Sequence, residues 1–232
     1  MKILSLDTTG LVASCALVDE NKTIAEFTTN YKKTHSQTLM PMVEAICKMI
    51  EVDLKDIDYI ACANGPGSFT GLRIGAATAK GLAHGLNKKI IPIPTLDAIA
   101  YNVTHSNSLV VPIMDARRNQ VYTAVYDTSS EFKLLSEYMA CDINELLEYV
   151  KAISENAVFL GDGVPVFADK IKEYSQGFTF APVSCNMQRA ACVGALALQR
   201  YDKAVSYDDF EIIYLRKSQA EREREEQLRG NP

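Results

Sequence analysis

The chain has 232 residues, of which 47% are hydrophobic and 23% charged, so it holds enough apolar material for one large domain or two small lobes. The formal net charge of -5 and a pI of about 5.3 argue against a protein that binds nucleic acid by itself, because phosphate contacts need lysine and arginine. No stretch approaches the roughly 20 consecutive apolar residues that a membrane span needs.

The start of the chain and its cysteines indicate the compartment. The first apolar run turns polar at Asp7, which is too early for a secretory signal peptide. The six cysteines show no C-x-x-C spacing and have apolar neighbours, as small core residues do in a reducing compartment. We therefore expect a cytoplasmic protein without disulfides and without membrane association.

The first 104 residues predict a three-stranded meander followed by alternating helices and strands. The predicted strands are 2–7, 13–18, 23–28, 59–63 and 89–93, and the predicted helices are about 36–51, 68–86 and 95–103. Helix 36–51 is apolar around more than one face, because Met40 and Cys47 lie off its main stripe. That stripe consists of Leu39, Met42, Val43, Ile46, Met49 and Ile50. A surface helix needs only one such stripe, so the excess indicates a partner.

The segment Asn64–Gly71, with the sequence NGPGSFTG, leads from a strand into helix 68–86. It lacks a Walker lysine and the G-x-G-x-x-G spacing, so we interpret it as a sharp turn into a closely packed helix and not as a phosphate site. Mid-helix glycine costs about 1 kcal/mol relative to alanine, and close approach of another backbone offsets that cost. Packing on the chain's own sheet needs one stripe of small residues, and a second stripe points to a partner. The two stripes are Gly71, Gly75 and Ala79, and Ala77, Gly81 and Gly85.

The second half of the chain repeats the order of elements found in the first. Its predicted strands are 109–114, 120–126, 132–139, 157–160 and 178–181, and its predicted helices are 144–153, 164–174 and 190–201. A meander followed by α/β crossovers, built twice, predicts an α/β protein of the actin-like ATPase (ASKHA) superfold, with two lobes that each hold a mixed β-sheet flanked by helices. The predicted divisions are a first lobe at 1–104, a second lobe at 105–216, and a charged tail at 217–232 that is solvated helix or disordered.

Asp7, Thr8 and Thr9, followed by Gly10, are the candidate nucleotide-binding residues. Actin-like ATPases hold magnesium and phosphate at this turn, but Asp and Thr also stabilise ordinary β-turns by bonding their own backbone. A nucleotide site needs a matching loop in the second lobe. The segments 114–117 and 161–163 lack the expected acidic–glycine–hydroxyl order, which favours the plain turn.

Groups with the spacing of a catalytic or metal site are missing from the sequence. The three histidines never stand four residues apart, no serine has the G-x-S-x-G context, and no carboxylate pair is recognisable. We therefore expect no enzyme activity, no metal and no cofactor.

Three motifs resemble the bacterial TsaB family, also called YeaZ: Met1–Thr9, His35–Pro41 and, most specifically, Ala63–Gly75. Residues 94–100 and 214–216 fit as well. The resemblance is strong through residue 118 and mainly architectural beyond. It implies a part in making the threonylcarbamoyladenosine next to the anticodon of tRNAs that read codons beginning with A.

The resemblance also implies partners. In this family the protein is the partner of the catalytic paralogue TsaD, with the ATPase TsaE as a third member. It binds tRNA only through the complex and forms a homodimer when alone. The implied docking surface is the pair of helices at about 36–51 and 68–86. Its candidate contact residues are Leu39, Met40, Val43, Cys47, Phe69, Gly71, Leu72, Arg73, Gly75, Ala76 and Ala79.

One departure from the paralogue bears on activity. TsaD carries a metal-binding His-x-x-x-His after a strand that ends in Ile-Pro, and these positions fall on Thr95 and Ile99 here. Isoleucine offers no donor atom to a metal, so a non-catalytic activator is expected. The alternatives are a weak nucleotide-binding or ATP-hydrolysing protein and a stand-alone tRNA binder. We further expect Gly75→Leu to abolish binding of TsaD while leaving the fold largely intact.

Overall fold

A computed structural model of the protein describes residues 1–31 and 33–216. The first sheet runs in the order β3-β2-β1-β4-β5, with β1 antiparallel to β2 and parallel to β4. Its strands are β1 (Lys2–Asp7), β2 (Ala13–Asp19), β3 (Thr23–Thr29), β4 (Tyr59–Ala63) and β5 (Lys89–Ile93). The helices of this part are α1 (His35–Met49), α2 (Phe69–Leu86) and α3 (Thr95–Ala100). The charged tail lies outside the described residues.

The second sheet repeats the first. Its main path is β10-β7-β6-β11-β12, with the short β8 and β9 attached beside β6. Without these two short strands, both sheets have the order third, second, first, fourth and fifth strand along the chain. Its strands are β6 (Leu109–Asp115), β7 (Gln120–Thr123), β8 (Tyr126–Asp127), β9 (Lys133–Leu134), β10 (Met139–Asp142), β11 (Ala157–Leu160) and β12 (Phe178–Phe180). The helices are α4 (Ile143–Ile153), α5 (Val164–Tyr174) and α6 (Ala190–Gln199). The duplicated order confirms the predicted actin-like fold.

The central strand β1 shows how the first sheet is covered. All residues from Ile3 to Asp7 are buried, and successive side chains point to opposite faces. Leu4 and Leu6 pack in a core with α1 and α2, whereas Ile3 packs in a core with α6. The helices α1 and α2 therefore share one face of the sheet, and their outer sides face away from it.

The predicted boundary between the lobes needs correction because of the position of α6. The boundary placed residues 105–216 in the second lobe, but α6 lies on β1 and β2 of the first sheet. The Ser5 hydroxyl donates to the Ala190 carbonyl at 2.6 Å, and a Cβ at Gly194 would come within 2.6 Å of Val18. Small residues allow this close approach, which a sequence pattern does not assign to either sheet.

The predicted continuous strand 132–139 is wrong, because only residues 133–134 and 139 lie in strands. After the short β9, the Leu135 amide donates to the Val125 carbonyl at 2.8 Å, and the Ser136 hydroxyl accepts from the Val125 amide at 3.0 Å. These bonds turn the chain before β10 and also end the predicted strand 120–126 at Thr123. In the described part of the chain, no helix is both long and apolar enough to cross a membrane.

Candidate docking face and interlobe cleft

The inner stripe of α2 packs on the turn after β1. The Thr8 hydroxyl donates to the Gly71 carbonyl at 2.7 Å. A Cβ at Gly71 would overlap the Thr8 carbonyl oxygen, and one at Gly75 would lie 2.6 Å from the Thr8 hydroxyl oxygen. The chain's own fold therefore requires small residues on this side of α2.

The outer stripe of α2 has no such requirement. Ala77, Gly81 and Gly85 are exposed, and a Cβ added at Gly81 or Gly85 would meet no atom within 4 Å. Both the cost of mid-helix glycine and the open space argue that these residues are not there for packing within the lobe. The two stripes inferred from the sequence thus differ in role.

Most of the predicted contact residues lie inside the chain's own core. Met40 (43% exposed) and Arg73 are exposed, and Cys47 and Phe69 are half-buried. The other seven lie on the inner faces of the two helices and present no surface. The prediction that they contact a partner therefore needs correction. These seven are Leu39, Val43, Gly71, Leu72, Gly75, Ala76 and Ala79. Helical periodicity identified the apolar positions but not which of them the sheet covers.

A groove of about 830 Å³ runs along the exposed side of α1. Met40, Pro41 and Cys47 line it together with the charged Glu44 and Lys48. This groove and the outer stripe of α2 form what we call the docking face, defined by Met40, Cys47, Ala77, Gly81 and Gly85.

The two lobes meet at a cleft of about 480 Å³. The turn after β1 lines it with Thr9, Gly10 and Leu11, and the second lobe lines it with Asp115 and Asp162 among others. The segments 114–117 and 161–163, considered from sequence as a matching loop, therefore do face the turn at Asp7–Gly10.

Most polar groups of that turn are hydrogen-bonded within the first lobe, although Asp7 Oδ2 is buried without a hydrogen-bond partner. Asp7 Oδ1 accepts from the Thr9 amide at 2.9 Å and from its hydroxyl at 2.7 Å, while the Thr8 hydroxyl is bonded to Gly71. Burial raises the pKa of Asp7 to about 6 and also raises the pKa of Asp162. Across the cleft, Asp115 and Asp162 offer carboxylates where a phosphate would need donors. This geometry supports the plain turn.

Neither position aligned with the metal ligands of TsaD suits a metal. The Thr95 hydroxyl accepts from the Gly65 amide at 3.1 Å, which fixes the turn before α2. Ile99 is fully buried in an apolar cluster. Across residues 1–31 and 33–216, no three His, Cys, Asp or Glu side chains are grouped as metal ligands would be.

A segment at 211–216, which we call the strap, joins the lobes and was not found by sequence reasoning beyond its family resemblance. The Ile213 amide donates to the Asn64 carbonyl at 2.8 Å. The ring of Tyr214 stacks on Phe69 with centroids 4.4 Å apart, and Arg216 Nη1 donates to the Ala116 carbonyl at 2.9 Å. The strap therefore ties the start of α2 to the second lobe.

Comparison with known proteins identifies the family of the chain. The family model described as "TsaD: tRNA N6-adenosine threonylcarbamoyltransferase" matches residues 22–223. The tRNA threonylcarbamoyladenosine biosynthesis protein TsaB of Bacillus subtilis is 36% identical over 75% of this chain and 76% of its own. The TsaB protein of Escherichia coli is 30% identical over 95% of this chain and 96% of its own. The chain belongs to the TsaB family.

Structural similarity agrees with membership of the TsaB family at the level of the fold. YeaZ from Pseudomonas aeruginosa superposes with a TM-score of 0.74 at 22% identity, covering 92% of this chain and all of that one. A second Pseudomonas aeruginosa structure, described as similar to peptidase YEAZ, gives a TM-score of 0.79 at 24% identity over 93% and 99% of the two chains. The sequence relatives confirm the resemblance that the motifs indicated, and the solved structures confirm the fold.

Proposed function

We propose that this protein acts in the formation of threonylcarbamoyladenosine in tRNA, as the non-catalytic partner that docks on TsaD and activates it. Membership of the TsaB family supports the pathway, because its relatives are named for tRNA threonylcarbamoyladenosine biosynthesis. The observation that carries the partner role is the outer stripe of α2, whose glycines have open space around them.

The docking face has the shape for a helix–helix contact. Gly81 and Ala77 expose backbone on α2, and small residues let a partner helix approach closely. The groove beside α1 offers Met40 and Cys47 as further contacts. Exposed glycines cost helix stability, and burial against a partner offsets that cost. The same face would pair two copies of the chain in a homodimer when the partner is absent.

The non-catalytic assignment rests on Thr95 and Ile99. The hydroxyl of Thr95 is bonded to the backbone at Gly65, and Ile99 is part of the core. Chemistry on the threonylcarbamoyl group therefore belongs to TsaD in this proposal. The ATPase TsaE completes the complex, and tRNA binds only to the assembled proteins.

Reconstitution tests this proposal. Purified TsaD, TsaE with Mg-ATP, threonylcarbamoyl-adenylate and an unmodified tRNA are incubated with and without this protein, and modified adenosine is measured by mass spectrometry of nucleosides. We expect modification only when the protein is present. Equal modification in its absence would refute the activating role.

Nucleotide binding in the interlobe cleft is the second candidate, and the position of Asp7–Gly10 opposite the second lobe is the observation in its favour. The hydrogen bonds within the turn and the facing carboxylates argue against it. Calorimetry of the isolated protein with Mg-ATP distinguishes the two. We expect no measurable binding, and micromolar affinity would restore this candidate.

A further inference from the structure

Phe69, Tyr122 and Arg117 line one side of the interlobe cleft, and Tyr214 and Arg216 lie next to the two rings. The guanidinium of Arg73 lies 5.7 Å from the Phe69 ring centre, and its Nε donates to the Tyr214 hydroxyl at 3.3 Å. Phe69 in turn stacks on Tyr214, in the strap. These contacts form one side of what we call the arginine–aromatic patch. The whole patch consists of Arg73, Arg117, Arg118, Arg216, Phe69, Tyr122 and Tyr214.

The second-lobe side of the patch is continuous with the first. Tyr122, Tyr214 and Arg216 line one small cavity, and Arg216 donates to the Ala116 carbonyl. Arg117 and Arg118 follow Ala116 directly, in the turn between β6 and β7. The Arg117 side chain is 85% exposed and pairs with Asp115 at 3.3 Å.

The charge of this patch is opposite to that of the whole chain. The protein has 24 Lys and Arg against 29 Asp and Glu, yet Arg73 and Arg216 lie against the aromatic rings of the patch and Arg117 lines the adjoining cleft. The acidic side chains lining the adjoining cleft are Asp115, which pairs with Arg117, and the largely buried Asp162. Guanidinium groups bind phosphate oxygens with paired donors, and aromatic rings beside them stack on bases.

The backbone holds the arginines of the second lobe in an uncommon conformation. Arg117, Arg118 and Asn119 have φ values of 65, 54 and 63°, in the left-handed region that side chains other than glycine rarely adopt. Three such residues in a row fix the direction in which this turn projects beside the cleft. Strained residues of this kind cluster at functional sites.

We propose that the arginine–aromatic patch contacts the phosphate backbone of tRNA when the protein is assembled with TsaD. This inference rests on the proposed function and adds the place where the chain itself meets the RNA. The net acidity of the protein explains why the patch acts only in the complex, because the rest of the surface repels RNA.

The test uses the complex of this protein with TsaD and a fluorescently labelled, unmodified tRNA, titrated at several salt concentrations. The double variant Arg117→Ala/Arg118→Ala leaves α1 and α2 unchanged. It is expected to weaken tRNA binding roughly tenfold and to reduce the slope of log affinity against log salt by about two, one for each lost phosphate contact. The control Lys133→Ala/Lys172→Ala removes two exposed cations of the same lobe and should leave both quantities unchanged.

The outcomes separate the patch from the proposed function. If the arginine variant and the control bind tRNA with equal affinity and equal salt slope while the complex stays intact, the patch does not contact tRNA. That result would leave the proposed partner role unchanged. Weaker binding of TsaD by the arginine variant, with an unchanged salt slope for tRNA, would assign the patch to a protein contact and also overturn it. A wild-type protein that forms no complex with TsaD would refute the proposed function itself.

Discussion

Gly71 and Gly81 lie in the same helix, but only Gly71 is required by the chain's own fold. The inner position is in contact with the Thr8 backbone, whereas the outer position faces open space. Sequence spacing identified both as members of small-residue stripes. Which stripe is covered depends on the path of the turn after β1, where Thr8 is 63 residues from Gly71 in sequence, so the helix alone does not show it.

Alanine at these two glycines should have opposite effects on stability. Gly71→Ala is expected to lower the free energy of unfolding by about 1–3 kcal/mol, because its Cβ overlaps the Thr8 carbonyl oxygen. Gly81→Ala should raise it by up to about 1 kcal/mol, because alanine favours helix and meets no neighbour. Urea unfolding of the three proteins measures both changes. For the same reason Gly75→Leu should disrupt the fold, in contrast to the expectation from sequence.

Asp7 should make stability depend on pH. Its pKa rises on folding from 3.8 to about 6, chiefly because burial disfavours the charged carboxylate. The native state then binds a proton more tightly than the unfolded state, so this group's contribution to the free energy of unfolding falls as pH rises from about 4 to 6 and levels off above. The loss is about 3 kcal/mol at most.

Asp7→Asn isolates this effect, because asparagine keeps an acceptor for Thr9 but does not ionise. Relative to the wild type, the variant should gain unfolding free energy between pH 4 and pH 7, measured by urea titration at several pH values. A difference between the two proteins that stays constant across this range would contradict the assigned pKa.

At the scale of elements, periodicity predicted α1 and α2 to within about two residues at each end, because both helices bury one regular face. The segment 132–139 was not predictable in this way. Its conformation depends on hydrogen bonds from Val125 to Ser136 and from Leu135 to Val125, which join two segments that lie between strands. The strap was likewise recognisable only as a family motif, since its contacts are all distant in sequence.

Removing the stacked ring should detach the strap from α2. Tyr214→Ala is expected to lower the free energy of unfolding by about 1 kcal/mol, because the stack on Phe69 is lost. Tyr214→Phe keeps the stack and removes only the hydrogen bond from Arg73, so it should retain most of the stability. Chemical denaturation compares the two variants, and equal losses would show that the stack contributes little.

At the scale of the whole molecule, one buried carboxylate joins the lobes. Asp97 in α3 accepts from the hydroxyls of Tyr126 at 2.8 Å and Tyr138 at 2.7 Å, both in the second lobe. Arg200, just after α6, donates to its other oxygen at 2.7 Å. The sequence showed the duplicated order of strands, and therefore the fold, but no local pattern connects these four residues.

Loss of the Asp97 carboxylate should weaken the whole chain. Asp97→Ala leaves Arg200 and two phenols without their acceptor, so the free energy of unfolding should fall by about 3 kcal/mol. Asp97→Asn keeps one acceptor oxygen and should lose less. Thermal unfolding followed by calorimetry gives both values, and a wild-type stability in Asp97→Ala would show that the lobes are held by other contacts.

The affinity of this protein for TsaD shows whether the outer stripe of α2 is a docking surface. Gly81→Leu fills the open outer stripe of α2, and Ala152→Leu places the same side chain at an exposed position of α4. Both proteins should fold, as judged by circular dichroism. Calorimetric titration should show that wild type and Ala152→Leu bind TsaD with equal affinity, while Gly81→Leu binds at least about tenfold more weakly. Equal affinity for all three would contradict docking through the outer stripe of α2.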